Sequence, residues 1–260
     1  MDTPTGGVQS ISRAALLLRI VARSGESGAQ TADIVRESGL TRPTVHRMLS
    51  ALRAEGLLDH DALTQHWVPG PEMFLMGTVA AARYDVSAQA RDIVRSLAAQ
   101  TEESAFLSVR RGDETVCLLR EDGAFPIRSH VLYEGVRFPL GVASAGLAIL
   151  ALMSDDQIDD YLSRSGPALR PWGESHLPGA LRERIALTRE AGYAVNPGLI
   201  VEGSWGMGAA VFDRAGQPQW ALSLTGIESR FTAERRPWLG RALLEHAHAL
   251  SKRLQTRRAG

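Results

Sequence analysis

A chain of 260 residues is long for one small module and suits one large domain or two. The hydrophobic share of 44% is enough for a sizeable buried core, yet the longest apolar run, Leu147 to Met153, is far too short to cross a bilayer. A single cysteine, Cys117, excludes an internal disulfide framework, and a formal net charge of zero means that any nucleic-acid contact must rest on a local patch. The start of the chain lacks the basic and apolar segments of a signal peptide, so the expected location is cytoplasmic. Lys252 is the only lysine among 29 basic residues, a bias that codon usage in a GC-rich genome explains.

Three short helical patterns open the chain. Ser12 is the expected N-cap of a first helix with Ala14, Leu17, Leu18 and Val21 at helical spacing, ended by Gly25 and Gly28. Thr31 is expected to cap a second helix, Ala32 to Ser38, which turns Ile34 and Val35 inward and stops at Gly39 in a left-handed conformation. Thr41 caps a third helix with Pro43 in its first turn, where the missing N–H costs nothing, and Gly56 ends it. Two helices joined through a Gly-Leu turn form a helix-turn-helix pattern, with Val45 placed to pack back on the second helix.

The next segment sharpens that reading. Leu57 to Val68 shows two short strands around a polar turn, the position of the wing in a winged helix, and Pro69-Gly-Pro71 closes it. Between Gly39 and Glu55 stand Arg42, Arg47, Arg53 and His46 with no acid, so the third helix is cationic within a neutral chain. Arg42, Thr44, His46 and Arg47 are the expected groove contacts, and Arg53 a structural or phosphate contact. The expected boundaries are a winged helix over 8–70, a linker helix over 71–86, and a larger domain over 87–256.

The linker is apolar, and Phe74, Leu75, Met76, Val79 and Ala80 make it the expected contact in a dimer. Beyond it a helix spans Ala88 to Gln100, followed by expected strands over Ser104–Arg110, Thr115–Glu121 and Ile127–Tyr133. A loop then runs into a buried helix that ends at Ala151, and an acidic helix follows over Asp155–Ser163. A further helix, Leu181–Ala191, precedes strands over Met207–Asp213 and Trp220–Gly226, and an amphipathic helix from Ala233 to Leu254 closes the chain. Strands grouped together with flanking helices indicate an α+β domain.

Five segments, in order, carry a family resemblance. They are Ser10-Ile-Ser-Arg-Ala, Gly39-Leu-Thr-Arg-Pro-Thr-Val-His-Arg-Met-Leu, Phe138-Pro-Leu-Gly-Val-Ala-Ser-Ala-Gly-Leu-Ala-Ile-Leu-Ala, Ala191-Gly-Tyr-Ala-Val, and Val211-Phe-Asp with Ala221-Leu-Ser-Leu-Thr-Gly. The chain resembles, over essentially its whole length, the IclR family of transcriptional regulators. The resemblance implies a winged helix domain, a GAF-like effector domain on an antiparallel sheet, a dimer or dimer of dimers, and binding to double-stranded operator DNA. It implies an effector pocket built from Ala143, Ser144, Ala145 and Gly146, with Asn196, Gly206, Met207, Ser223 and Thr225 from the later segments. Two departures make that pocket less polar than is usual in the family. Leu147 stands where a lysine is common, and Asn196 and Gly206 stand where an acid and a cysteine are often found.

Free N–H groups at Ser144 to Gly146 favour a carboxylate, and Leu140 and Met207 are expected to offer an apolar wall, so the expected effector is a small organic acid. Ser223 and Thr225, two apart on a strand, share a face and are expected either to bond the ligand or to satisfy nearby backbone groups. No catalytic set assembles. Val142-Ala-Ser-Ala-Gly146 lacks the first glycine of a nucleophile elbow, and Gly203 to Gly208 lacks the spacing of a dinucleotide loop. His246 and His248 point to different helix faces, so no metal site is expected, and no cofactor. The reading is a DNA-binding, effector-responsive regulator and not an enzyme. The alternative is a small-molecule-binding or catalytic protein whose N-terminal helices serve only packing.

Overall fold

A computed structural model describes residues 6–83 and 86–256, which form two units, one ending at Asp85 and the other beginning at Val86. The first unit contains α1 (Gly6–Arg23), α2 (Thr31–Ser38), α3 (Arg42–Ala54), β1 (Leu58–His60), β2 (Trp67–Pro69) and α4 (Pro71–Arg83). Its core collects the helical-spacing residues Leu17, Ile20, Val21, Ile34, Val45 and Leu49, together with Leu58 and Trp67. Gly39 takes φ 65° at the end of α2 and returns its N–H to the Val35 carbonyl, so the turn into α3 uses a conformation that side chains resist.

Two cap expectations need correction. Ser12 lies inside α1, which already begins at Gly6, and Thr31 is the first residue of α2, not its cap. The Thr31 hydroxyl is engaged elsewhere, accepting the Trp67 indole N–H at 3.0 Å. Trp67 also exchanges both backbone hydrogen bonds with Ala29 at 2.9 Å, so β2 is tied to the segment before α2 as well as to β1. The expected linker helix includes Tyr84 and Asp85, which lie outside the described residues, as does the side chain of Ala80.

The second unit is α+β. It contains α5 (Val86–Thr101), β3 (Ser104–Arg111), β4 (Glu114–Glu121), β5 (Arg137–Pro139), α6 (Ser144–Ala151), α7 (Asp155–Arg164), α8 (Gly166–Leu169), α9 (Pro178–Ala191), β6 (Ala194–Pro197), β7 (Ser204–Phe212), β8 (Pro218–Ile227) and α10 (Arg236–Thr256). The six strands form one antiparallel sheet in the order β5-β4-β3-β8-β7-β6. Alternation, put out of phase in β4 by a bulge at Leu118 opposite Leu107 and Ser108, divides its side chains between two layers. Phe106, Cys117 and Ala221 pack with α6, α7 and α9, whereas Leu107, Leu119, Met207, Val211, Leu222 and Leu224 pack with α5 and α10. On the α5 and α10 side the buried Glu103 carboxylate accepts from Arg230 Nε at 2.7 Å and Arg235 Nη1 at 2.6 Å, joining the start of β3 to the approach to α10.

The expected strand over Ile127–Tyr133 does not form. The outer edge of β4 is already occupied: Cys117 donates to the Val136 carbonyl and accepts from the Gly135 N–H, and β5 continues that pairing. The 127–133 segment is left as a loop that drops Leu132 into the core. β6, a four-residue edge strand, was not anticipated from the sequence. Among the described residues no helix is long and apolar enough to cross a membrane.

All eight residues of α6 are buried, and its first turn lies against two glycines of β7. A Cβ on Gly208 would stand 2.8 Å from the Ser144 carbonyl carbon, whereas one on Gly206 would crowd only the Ser144 hydroxyl, at 3.2 Å, and reach the Leu224 carbonyl oxygen at an ordinary 3.5 Å. Backbone cannot step aside as a hydroxyl can. Gly208→Ala should therefore lower the unfolding free energy by about 1–3 kcal/mol, and Gly206→Ala by less, in denaturant titrations.

Candidate functional site

Two places concentrate unfilled chemistry, one in each unit. On α3, Val45, Leu49 and Leu52 face the core, which turns Arg42, His46, Arg47 and Arg53 outward. Arg42, His46 and Arg53 fall along one side of the exposed stripe and Arg47 on another, as their spacing on a helix requires. His46 and Arg53 border a depression of about 620 Å³ that runs to His60, Gln65 and Trp67 of the wing. Thr44 is half-buried, and its hydroxyl bonds that of Thr41 at 2.9 Å, so it braces the start of the helix. Arg23 and Arg36 of this unit are paired with Glu37 and Asp33, but Arg42, Arg47 and Arg53 have no acidic partner among the described residues. Exposed, unpaired guanidinium groups on two sides of a helix beside a β-hairpin are suited to a polyphosphate backbone.

The second place is a cavity of about 20 Å³ at the start of α6. Ala143, Ser144, Asn196, Gly206 and Thr225 line it, together with Val131, Leu132, Ile200, Ser204 and Trp205. The N-terminus of α6 has no side-chain cap. Thr225 is 5% exposed and its hydroxyl has no hydrogen-bond partner among the described residues; the Ser223 hydroxyl, fully buried, has none there either. Cross-strand pairing sets Thr225 beside Gly206 and Ser223 beside Gly208, which places both hydroxyls on the α6 side of the sheet. A buried hydroxyl without a partner is costly, and one that faces a cavity beside a helix N-terminus is poised to receive a ligand oxygen.

The loop that delivers α6 is gripped from three directions. The Tyr161 hydroxyl donates to the Leu140 carbonyl at 2.7 Å, Arg184 Nη1 to the Gly141 carbonyl at 3.1 Å, and Asn196 Nδ2 to the Val142 carbonyl at 2.8 Å. Asn196 is spent at both ends, since its Oδ1 accepts the Leu199 N–H at 2.9 Å. It holds the wall of the cavity in place. Burial pulls the Arg184 guanidinium down to about 10. His176, fully buried, donates through Nδ1 to the Trp172 carbonyl at 2.8 Å and leaves Nε2 without a partner. Burial, reinforced by the Arg184 charge, lowers its pKa.

Comparison with known proteins bears on both places at once. The IclR helix-turn-helix domain matches residues 10–62, and the bacterial transcriptional regulator IclR C-terminal domain matches residues 78–252. The chain belongs to the IclR family. It is therefore a DNA-binding transcriptional regulator with an effector-binding C-terminal domain. It is 27% identical over 244 residues to the transcriptional repressor IclR of Escherichia coli, covering 94% of this chain and 89% of the relative. The crystal structure of an IclR regulator from Alicyclobacillus acidocaldarius superposes with a TM-score of 0.75 at 24% identity, covering 98% of this chain and all of that one (100%). An IclR homologue from Microbacterium hydrocarbonoxydans, crystallised with 4-hydroxybenzoate, superposes with a TM-score of 0.72 at 21% identity, covering 95% of this chain and 100% of that one.

Against the IclR-like pocket expected from the sequence, the structure sorts the residues into three groups. Ala143, Ser144, Asn196, Gly206 and Thr225 meet at the cavity. Leu140, Ala145, Gly146 and Ser223 are buried on the same side of the sheet but are not among the lining residues. Met207 is a correction: it points to the opposite face, into the core under α5 and α10, because it is one residue out of phase with Gly206 and Gly208. The lining residues that sequence reasoning missed come from the loop at 131–132 and from 200–205, whose approach to α6 has no local signal. Cys117 is buried within the sheet and its thiol is pushed up to about 12 by burial, which leaves it unreactive at neutral pH.

His176 supplies a pH test. Its folded pKa lies below the ordinary 6.5, so the unfolded chain binds the proton more readily. Stability is then complete above 6.5 and falls as the pH drops below it. Carboxylates such as Asp92, held low by the Arg253 guanidinium, lose their contribution only near and below the ordinary 3.8. Denaturation midpoints taken between about pH 6.5 and 4.5 should decline for the native chain and flatten in His176→Asn.

Proposed function

We propose that the protein reads an operator through α3 and its wing, that an organic acid in the α6 cavity modulates this binding, and that the working form is at least a dimer. The three exposed arginines of α3 without acidic partners support the first part. Arg42 and Arg47 reach the groove, while Arg53 and His46, beside the wing, fit phosphate contacts. The single observation that carries the second part is the buried, unpartnered Thr225 hydroxyl at a cavity opened by an uncapped helix N-terminus.

A carboxylate at the first turn of α6, with an apolar body toward Val131, Leu132 and Ile200, satisfies the site. The 4-hydroxybenzoate bound by the Microbacterium homologue has this design, an acid on an apolar ring. The cavity holds about one water molecule as it stands. Binding therefore widens it, and the side that yields is the 129–132 loop, which belongs to no strand. For assembly, α4 exposes Phe74 and Val79 at 75% and 78%, with Leu75 and Met76 beside them, an apolar face suited to a second copy.

Gel shifts against the DNA upstream of the protein's own coding sequence test the operator reading. Arg42→Ala and Arg47→Ala should each cost about 1–3 kcal/mol of binding if they contact bases. Unchanged affinity in both variants, with the fold intact, removes α3 as the reading element.

A thermal-shift series of aliphatic and aromatic acids tests the cavity. An acid at a hundred times its Kd should add about 2.7 kcal/mol of stability. The gain should vanish in Ser144→Phe and shrink in Thr225→Val, and an undiminished gain in both moves the effector elsewhere. Light scattering at micromolar concentration should show a dimer or larger; a stable monomer contradicts the assembly.

A further inference from the structure

A second concavity lies wholly within the C-terminal unit, between α9 and the start of α10, and has a volume of about 690 Å³. Its floor is the edge strand β6, through Val195 and Pro197, and its walls include Leu187 of α9 and Pro237 of α10. Leu187 is 65% exposed, an apolar side chain left uncovered at the rim. The volume falls within the range of about 300–1,000 Å³ that small-molecule sites occupy. By contrast, the α6 cavity has about 20 Å³.

The groove also carries positive charge on both walls. Arg184 contributes from α9 and Arg236 from α10. Arg184 Nε and Nη2 and Arg236 Nε are buried N–H donors with no acceptor. Neither guanidinium has an ion pair among the described residues, whereas most arginines of this unit do, including Arg230, Arg235 and Arg253. The acids nearby do not fill the need. Glu190, on the rim, forms no ion pair among the described residues, and Glu234, within reach of the Arg236 field, bonds its own loop. Unfilled guanidinium donors beside bare apolar walls describe a complementary molecule with an anionic head and a hydrocarbon body.

We propose that this groove is a second ligand site, taking a monocarboxylate with an apolar chain or ring, held between Arg184 and Arg236. It is separate from the effector cavity and does not depend on that reading. Both arginines also link the two: Arg184 Nη1 holds the Gly141 carbonyl in the loop that delivers α6, and the Arg236 guanidinium lies 5.4 Å from the ring centre of Trp205, which lines the effector cavity.

Isothermal titration of the full-length protein with octanoate, 1-naphthoate and inorganic phosphate tests the proposal. At least one of the two carboxylates should bind, and phosphate, which has charge without an apolar body, should not. Arg236→Gln and Leu187→Asp should each weaken binding about tenfold or more, and that Leu187-dependent binding should persist unchanged in Thr225→Val, whatever is lost at the effector cavity. Leu187 is exposed, so its variant keeps the test valid if Arg236→Gln fails to fold. The proposal is overturned if neither carboxylate binds at millimolar concentration, or if phosphate binds as well as they do. It is equally overturned if Thr225→Val weakens binding while Leu187→Asp does not, which places the acid in the effector cavity. A Leu187→Asp variant that binds no acid and loses a native oligomer makes the groove an interface between copies instead.

Discussion

The carbonyl groups of Leu140, Gly141 and Val142 are held in succession by Tyr161, Arg184 and Asn196, which come from α7, α9 and β6. The effector half of the molecule depends on this grip. α6 has only eight residues, no side-chain cap and every side chain buried, so it has little helical stability of its own. Its position is imposed by the loop before it, and that loop is fixed only where all three surrounding elements are in place. The same three bonds satisfy backbone groups that would otherwise be buried without partners, so the arrangement settles a local need and a global one together.

The sheet separates two kinds of interior. On the α5 and α10 side the strands present Leu107, Met207, Leu222 and Leu224, and the buried Glu103 is fully answered by two arginines. On the α6 side the same strands present Gly206, Gly208, Ser223 and Thr225, and most of the unanswered groups collect there: these two hydroxyls, the His176 Nε2 and the Arg184 donors, with the Arg236 Nε of α10 the exception. A folded protein keeps few buried polar atoms without partners, and when they gather on one face of one sheet that face is reserved for something other than packing. The N-terminal unit shows a parallel division. Its core residues point one way from α3, and the arginines on the other side are left without acids.

The winged helix was legible because its signals are local. Gly39, Thr41 and Pro43 each fix one backbone position, and the apolar spacing of α1 to α3 fixes which face is buried. The long strands β3, β4, β7 and β8 were legible for the same reason. What failed depended on partners distant in sequence. Ile127–Tyr133 alternates like a strand, yet whether it pairs depends on who else claims the edge of β4, and residues 135–139 do. Met207 was assigned to the wrong face because strand phase must be right to the residue, and the glycines on either side were the true indicators. Ser144 and Gly206 came from the family resemblance, and the structure sets both at the α6 cavity. Val131 and Ile200 were not found, because a loop residue carries no mark of the cavity it will reach.

With the α6 cavity as the proposed effector site, its small size divides responsibility among the residues around it. A molecule larger than water is admitted only while the wall stands open, so its apparent affinity is the intrinsic affinity scaled by the fraction of time the protein spends in that state. Leu132 and Ile200 govern that fraction by how well they pack when the space is closed. On that proposal, Ser144 and Thr225 govern which molecule is accepted once it is open. The concentration at which the regulator responds and the identity of the compound it responds to are thus written in different side chains. A lineage can retune its threshold by trading a methylene in the wall, without relearning its signal.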